Sequence, residues 1–155
     1  VLATESAYVK APLAFNLWHT GVLLPGEIAP FYMIIDSPGQ WDDWEMELDY
    51  REAANSDFDE HYHDLEIIND QGRAINEIFY NYRVSGEIKN WGSLETGNVW
   101  MVVTLYGAQD RIVGVEEAIT DDNELLPDET VPFSIDMYTR GQVVSYRMII
   151  RSVKH

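Results

Sequence analysis

The densest set of residues able to do chemistry is Asp57-Phe-Asp59-Glu60-His61-Tyr62-His63-Asp64. In extended backbone alternate side chains share a face, so Asp57, Asp59, His61 and His63 would point the same way. Two imidazoles and two carboxylates form a donor set that zinc or another divalent ion accepts. The spacing, however, matches neither a closed structural nor a catalytic zinc pattern. Acids are also dense here whatever their role, since twelve lie between Asp36 and Glu66 against the single cation Arg51. A solvated acidic linker is therefore the competing reading of the same stretch. The Asp-x-Asp loop ending in glutamate that a calcium site needs is absent.

Aromatic side chains are the second candidate group, with five tryptophans and nine tyrosines in the chain. Trp18 and Trp91 fall on expected loops and Trp41 stands beside a turn. Flat rings so placed can stack on a sugar face or anchor a protein partner. Packing over the end of a core is the alternative fate of a loop aromatic. Trp44, Trp100, Phe31 and Phe133 sit in strand phase and are expected in the core, each contributing about 1.5–3 kcal/mol by burial. Catalytic groupings are harder to find. With 27 acids almost any carboxylate pair can be drawn, so none is informative. Ser93 and Ser134 lack a nucleophile elbow, and there is neither a phosphate-cradling glycine loop nor a zinc-protease helix. No catalytic residue and no cofactor is expected.

The elements that must carry these residues are repeated. Leu125-Leu126-Pro127-Asp128-Glu129-Thr130-Val131-Pro132-Phe133 echoes Leu23-Leu24-Pro25-Gly26-Glu27-Ile28-Ala29-Pro30-Phe31 at an offset of 102 residues. The same offset sets Gly39-Gln40 on Gly141-Gln142 and Met46 on Met148. Pro-Gly and Pro-Asp are turn dipeptides, so a strand is expected after each. Phe31, Met33 and Ile35 then share a face, answered by Phe133, Ile135 and Met137. Further on, Trp44, Met46, Leu48 and Tyr50 alternate with Asp43, Glu45, Glu47, Asp49 and Arg51, the period of a half-buried strand. Tyr146, Met148 and Ile150 match the first three. Residues 1–9 resemble 112–120 at an offset of 111, so nine extra residues fall within Lys10 to Val22 of the first copy and are expected as a surface loop.

Before Ile112 the second copy has further strands for which the first has no counterpart, so the first module is expected to be truncated at its N-terminus. Residues 55–64 read as an acidic linker, Leu65 to Ile67 as a short strand, Asn69 to Gly72 as a turn and Arg73 to Tyr82 as extended. Tyr82, Val84, Gly86 and Ile88 alternate with polar residues. Val99 to Tyr106 is apolar on both faces, as befits a central strand. Gln109-Asp110 makes a turn before Ile112 to Ile119. Short strands divided by Gly, Pro, Asp and Asn turns predict an all-β chain of tandem immunoglobulin-like antiparallel β-sandwich modules. The boundaries are 1–54 for the first repeat, 55–64 for the linker and 65–155 for the complete second repeat.

At 155 residues, 46% of them hydrophobic, the chain can fill such cores. Its net charge of −17 opposes nucleic-acid binding, which requires basic patches to neutralise phosphates. Neither a run of 18 apolar residues nor a charged-then-apolar start occurs, so no membrane insertion is expected from it. Zero cysteines rule out disulfides and thiolate chemistry. Open strand edges in a truncated first module offer a route to a homo-oligomer.

The run Val84-Ser85-Gly86-Glu87-Ile88-Lys89-Asn90, then Asn98-Val99, then Val103-Thr104-Leu105-Tyr106, then Leu126-Pro127-x-Glu129-x-x-x-Phe133 resembles the FxLYD domain of bacterial and archaeal proteins. Val103 stands where that motif has phenylalanine and Gly107 where it has aspartate. The resemblance implies an immunoglobulin-like sandwich in an exported or cell-surface protein, with no catalytic residues to carry over. A non-catalytic binding or spacer module for a protein or polysaccharide partner follows, with carbohydrate or metal binding as the alternative.

Overall fold

The computed structural model describes residues 8–10, 32–34, 61–62, 64–120 and 124–153. Among them every long element is a strand: β1 (Tyr8–Lys10), β2 (Tyr32–Ile34), β3 (His61–Tyr62), β4 (Leu65–Ala74), β5 (Tyr82–Asn90), β6 (Trp100–Tyr106), β7 (Ile112–Ile119), β8 (Thr130–Met137) and β9 (Ser145–Val153). Three residues of 3-10 helix, Ala108–Asp110, turn the chain between β6 and β7.

Two antiparallel sheets face one another. One has the order β4-β5-β8 and the other β3-β9-β6-β7, while β1 and β2 pair by themselves with Val9 opposite Met33. The strand patterns explain the layering. In β8, Val131, Phe133, Ile135 and Met137 are buried while Pro132 and Ser134 between them are exposed. That alternation sends one face inward and leaves the other to water. In β6, Met101 through Leu105 are all buried, as the apolar run predicts, because β9 and β7 flank it on both sides. Val84 and Ile88 from β5 and the β8 residues meet Met101, Val103, Leu105 and Val113 from the opposite sheet in one core. Phe133, Ile135 and Met137 share their face as expected, and Tyr146, Met148 and Ile150 pack against the same core.

The Pro127-Asp128 turn forms as its dipeptide predicts. Glu129 N–H donates to Leu126 O across 3.1 Å, and Asp128 sits at φ 62°, which is where a type II turn needs its third residue. The first copy places Gly26 at the equivalent position, the residue best suited to that backbone.

Three local expectations are corrected. Asn69 to Gly72 does not turn the chain; β4 continues through it, with a register shift between Ile68 and Gln71 and Asn69 at φ 54°. Asparagine tolerates the left-handed region, so the same residue that signals a turn serves equally as a β-bulge. Arg73 to Tyr82 is not one extended run. Ile75–Asn81 links β4 to β5, closed by Ile75 N–H to Asn81 O at 3.1 Å, leaving Ile78 and Phe79 exposed at the tip. Trp100 is not in the core: it is half-buried on the face of β6 opposite Met101, because the parity of that strand turns it outward.

Candidate binding surface

The end of the sandwich where β5 leads into β6 carries the one expected site residue whose side chain is described, Trp91. Pairing of β4 with β5 sets Glu66 opposite Lys89, and Trp91 follows directly after β5. Its main-chain N–H donates to Asp64 O at 2.8 Å, fixing the backbone. The indole Nε1–H donates to Glu66 Oε2 at 2.6 Å, and Lys89 Nζ stands 3.5 Å from the ring centroid. An ammonium over an indole is attracted by the ring's negative face. Held at its edge and on one face, the residue is still 56% exposed. Capping of the core by Trp91 is thereby corrected: the fold spends its anchoring bonds on presenting the ring to solvent.

The loop behind Trp91 is set by Asn90, a residue that composition and periodicity did not single out. It is fully buried, and its side chain has four partners. Nδ2 donates to Leu94 O at 2.9 Å and to Leu125 O at 3.0 Å. Oδ1 accepts from Tyr62 Oη at 2.7 Å and from Gly92 N–H at 2.9 Å. One amide thus ties the loop to β3 and to the stretch before β8. Gly92 fits only as glycine, since a Cβ there would lie 1.8 Å from Tyr62 Oη. Tyr62 itself, within the stretch expected as linker, is buried, and β3 joins the sheet with Tyr62 opposite Ser152. A signal for Asn90 existed in principle: an asparagine closing a strand before Trp-Gly is a position where a side chain serves the turn.

At the opposite end of the strands, Arg83 and Asp136 pair across β5 and β8, with Arg83 also 3.2 Å from Glu77. The hydrogen bond from Arg83 holds the Asp136 carboxyl below the usual carboxylate range. Tyr146 Oη donates to Asp70 Oδ2 at 2.6 Å, bridging β9 to the β4 bulge. Burial, then that hydrogen bond, pushes the Tyr146 phenol up to about 12.

The outer face of the β9-β6-β7 sheet is a second surface. Val102 and Thr104 lie on the face of β6 opposite Met101, Val103 and Leu105 and are only 3% and 4% exposed. Trp100 and Tyr106 stand at its ends, Ile119, Glu117 and Val115 on one flank, and Arg147, Ile149 and Arg151 on the other.

The other expected ligands are not gathered by the described residues. Trp18, Trp41, Asp57, Asp59 and His63 lie outside them, and of His61 only the backbone in β3 is described. No helix among the described residues is long and apolar enough to cross a membrane. No protein-family profile, curated protein or solved structure matches the chain.

Proposed function

We propose that this chain is a non-catalytic binding module of an exported or cell-surface protein. In this reading residues 65–155, joined by β3, form an immunoglobulin-like repeat of the FxLYD type, and residues 1–54 contain a related copy of part of it. The two-sheet sandwich supports it: β4, β5 and β8 form one antiparallel sheet and β3, β9, β6 and β7 the other, the layering an immunoglobulin-like module requires. The repeat is supported by β2, whose residues correspond at the 102-residue offset to Ser134–Asp136 of β8. Their partners differ, since β8 pairs with β5 and β2 with β1.

The observation that carries the binding role is Trp91, a large ring held by Glu66 and Lys89 yet left open to solvent. Surface patches of this kind are contact points, because an aromatic ring contributes area at low entropic cost. A carbohydrate ligand is the second reading, favoured by the carboxylate and ammonium beside the indole, which can bond sugar hydroxyls while the ring stacks. Affinity electrophoresis through gels containing neutral or uronic-acid polysaccharides tests it. Retardation of the wild type that is lost in Trp91→Ala supports the sugar reading. Equal mobility in every gel eliminates it and leaves a protein partner.

A further inference from the structure

We infer that the outer face of the β4-β5-β8 sheet is a track for an extended, uncharged polysaccharide, with Trp91 as the stacking platform at one end. This track deepens the sugar reading of Trp91 and rests on it.

The register of the three strands builds the face. Val84 and Ile88 of β5 point into the core, so Arg83, Ser85, Glu87 and Lys89 point out, and Trp91 continues their line with its ring under the Lys89 ammonium. Pairing sets Gln71 and Ser134 on either side of Ser85, and Arg73 and Asp136 on either side of Arg83. The bulge in β4 matters here. Its register shift between Ile68 and Gln71 restores the parity of the strand, so that Gln71 and Arg73 face out beside β5. Gln71, Arg73 and Ser134 are exposed, as is Trp91, so the face lies open along its length.

The chemistry of the face selects the ligand. Lys89, Arg73 and Arg83 balance Glu66, Glu87 and Asp136, which makes the surface neutral within a chain of net charge −17. A polyanion gains nothing from a balanced face and is repelled by the rest of the chain. The centre of a protein interface is depleted in charged residues, whereas here they run down the middle, with Ile68 and Pro132 beside Glu87 as the apolar exceptions. A hydroxyl-rich chain suits both features. Carboxylates and the Gln71 carbonyl accept from sugar hydroxyls, guanidinium and amide N–H groups donate to them, and the indole stacks on a ring face. From Lys89 to Arg83 the strand rises about 20 Å, more than one sugar ring covers, so contacts accumulate over several units.

Isothermal titration calorimetry of the full chain with β-linked glucose, mannose and xylose oligomers, from disaccharide to hexasaccharide, tests the track. Affinity within one of these series is expected to rise about tenfold or more between disaccharide and tetrasaccharide. Gln71→Ala with Ser134→Ala should cancel that rise while leaving disaccharide binding within about twofold of wild type, and Trp91→Ala should weaken binding at every length. Arg73→Gln provides a second variant at the far end, and circular dichroism melts confirm that each variant folds. A disaccharide bound as tightly as a hexasaccharide overturns the track but leaves the stacking role of Trp91 standing. Tighter binding of polygalacturonate oligomers than of the neutral series does the same. No binding of any oligomer overturns the track together with the sugar reading beneath it.

Discussion

Replacing Asn90 by alanine removes the amide that joins three segments behind Trp91. Four hydrogen bonds go with it, to Leu94 O, Leu125 O, Tyr62 Oη and Gly92 N–H. A net loss of about 0.5–1.5 kcal/mol for each bond sums to roughly 4 kcal/mol, since at 0% exposure water cannot freely replace the partners. For a domain near 100 residues that corresponds to a fall in melting temperature on the order of 15–25 °C. Asn90→Asp is the sharper probe. It keeps the shape and the acceptor but sets a carboxylate against the two carbonyls that the amide now feeds. At neutral pH it is expected to destabilise at least as much as alanine. Urea unfolding and thermal melts of both variants measure the effect. A loss below about 1 kcal/mol in Asn90→Ala, or wild-type stability in Asn90→Asp, would refute the idea that this side chain organises the loop.

Other expectations follow from single contacts. Asp128 holds φ 62°, so Asp128→Gly should leave stability within about 0.5 kcal/mol of wild type, whereas Asp128→Val should cost about 1–2 kcal/mol in equilibrium unfolding. Equal tolerance of glycine and valine would contradict the turn assignment. The Tyr146 phenol, raised to about 12, contributes stability that is complete below the ordinary tyrosine value near pH 10 and is lost as pH climbs through about 12. Tyr146→Phe should remove a step near pH 12 from the ultraviolet tyrosine titration. It should also flatten the fall in stability across that window. The Asp136 carboxyl is lowered by Arg83, so its contribution is present at neutral pH and disappears as acidification passes the usual carboxylate range. Asp136→Asn should therefore melt below wild type at pH 7, with the gap closing under acid; a gap independent of pH would assign it to packing instead.

Much of the sandwich was readable because burial imposes periods on a strand. Val131, Phe133, Ile135 and Met137 alternate with exposed neighbours, and the run from Met101 to Leu105 does not, so one strand had to be one-sided and the other central. Pro127-Asp128 announced its turn for an equally local reason, the dihedral angles those residues accept. Local chemistry stops short where one residue suits two geometries. Asn69 is at home in a turn or a bulge, and only pairing along both halves of β4 with β5 chose the bulge. Ile78-Phe79-Tyr80 has strand composition, yet the chain must reverse there to bring β5 against β4, so it became a tip.

By itself the sequence determined the all-β class, the phase of the main described strands and the crowding of acids between Asp36 and Glu66, because each follows from residue types at short range. Tertiary structure alone decided that Asn90 meets Tyr62, Leu94 and Leu125 at once, and that Trp91 is braced outward rather than folded over the core. It also placed Arg147 and Arg151 on one face with Trp100 and Tyr106. Those arrangements join residues far apart in the chain, and hydrogen bonding and packing between two sheets select them through contacts that no local pattern encodes.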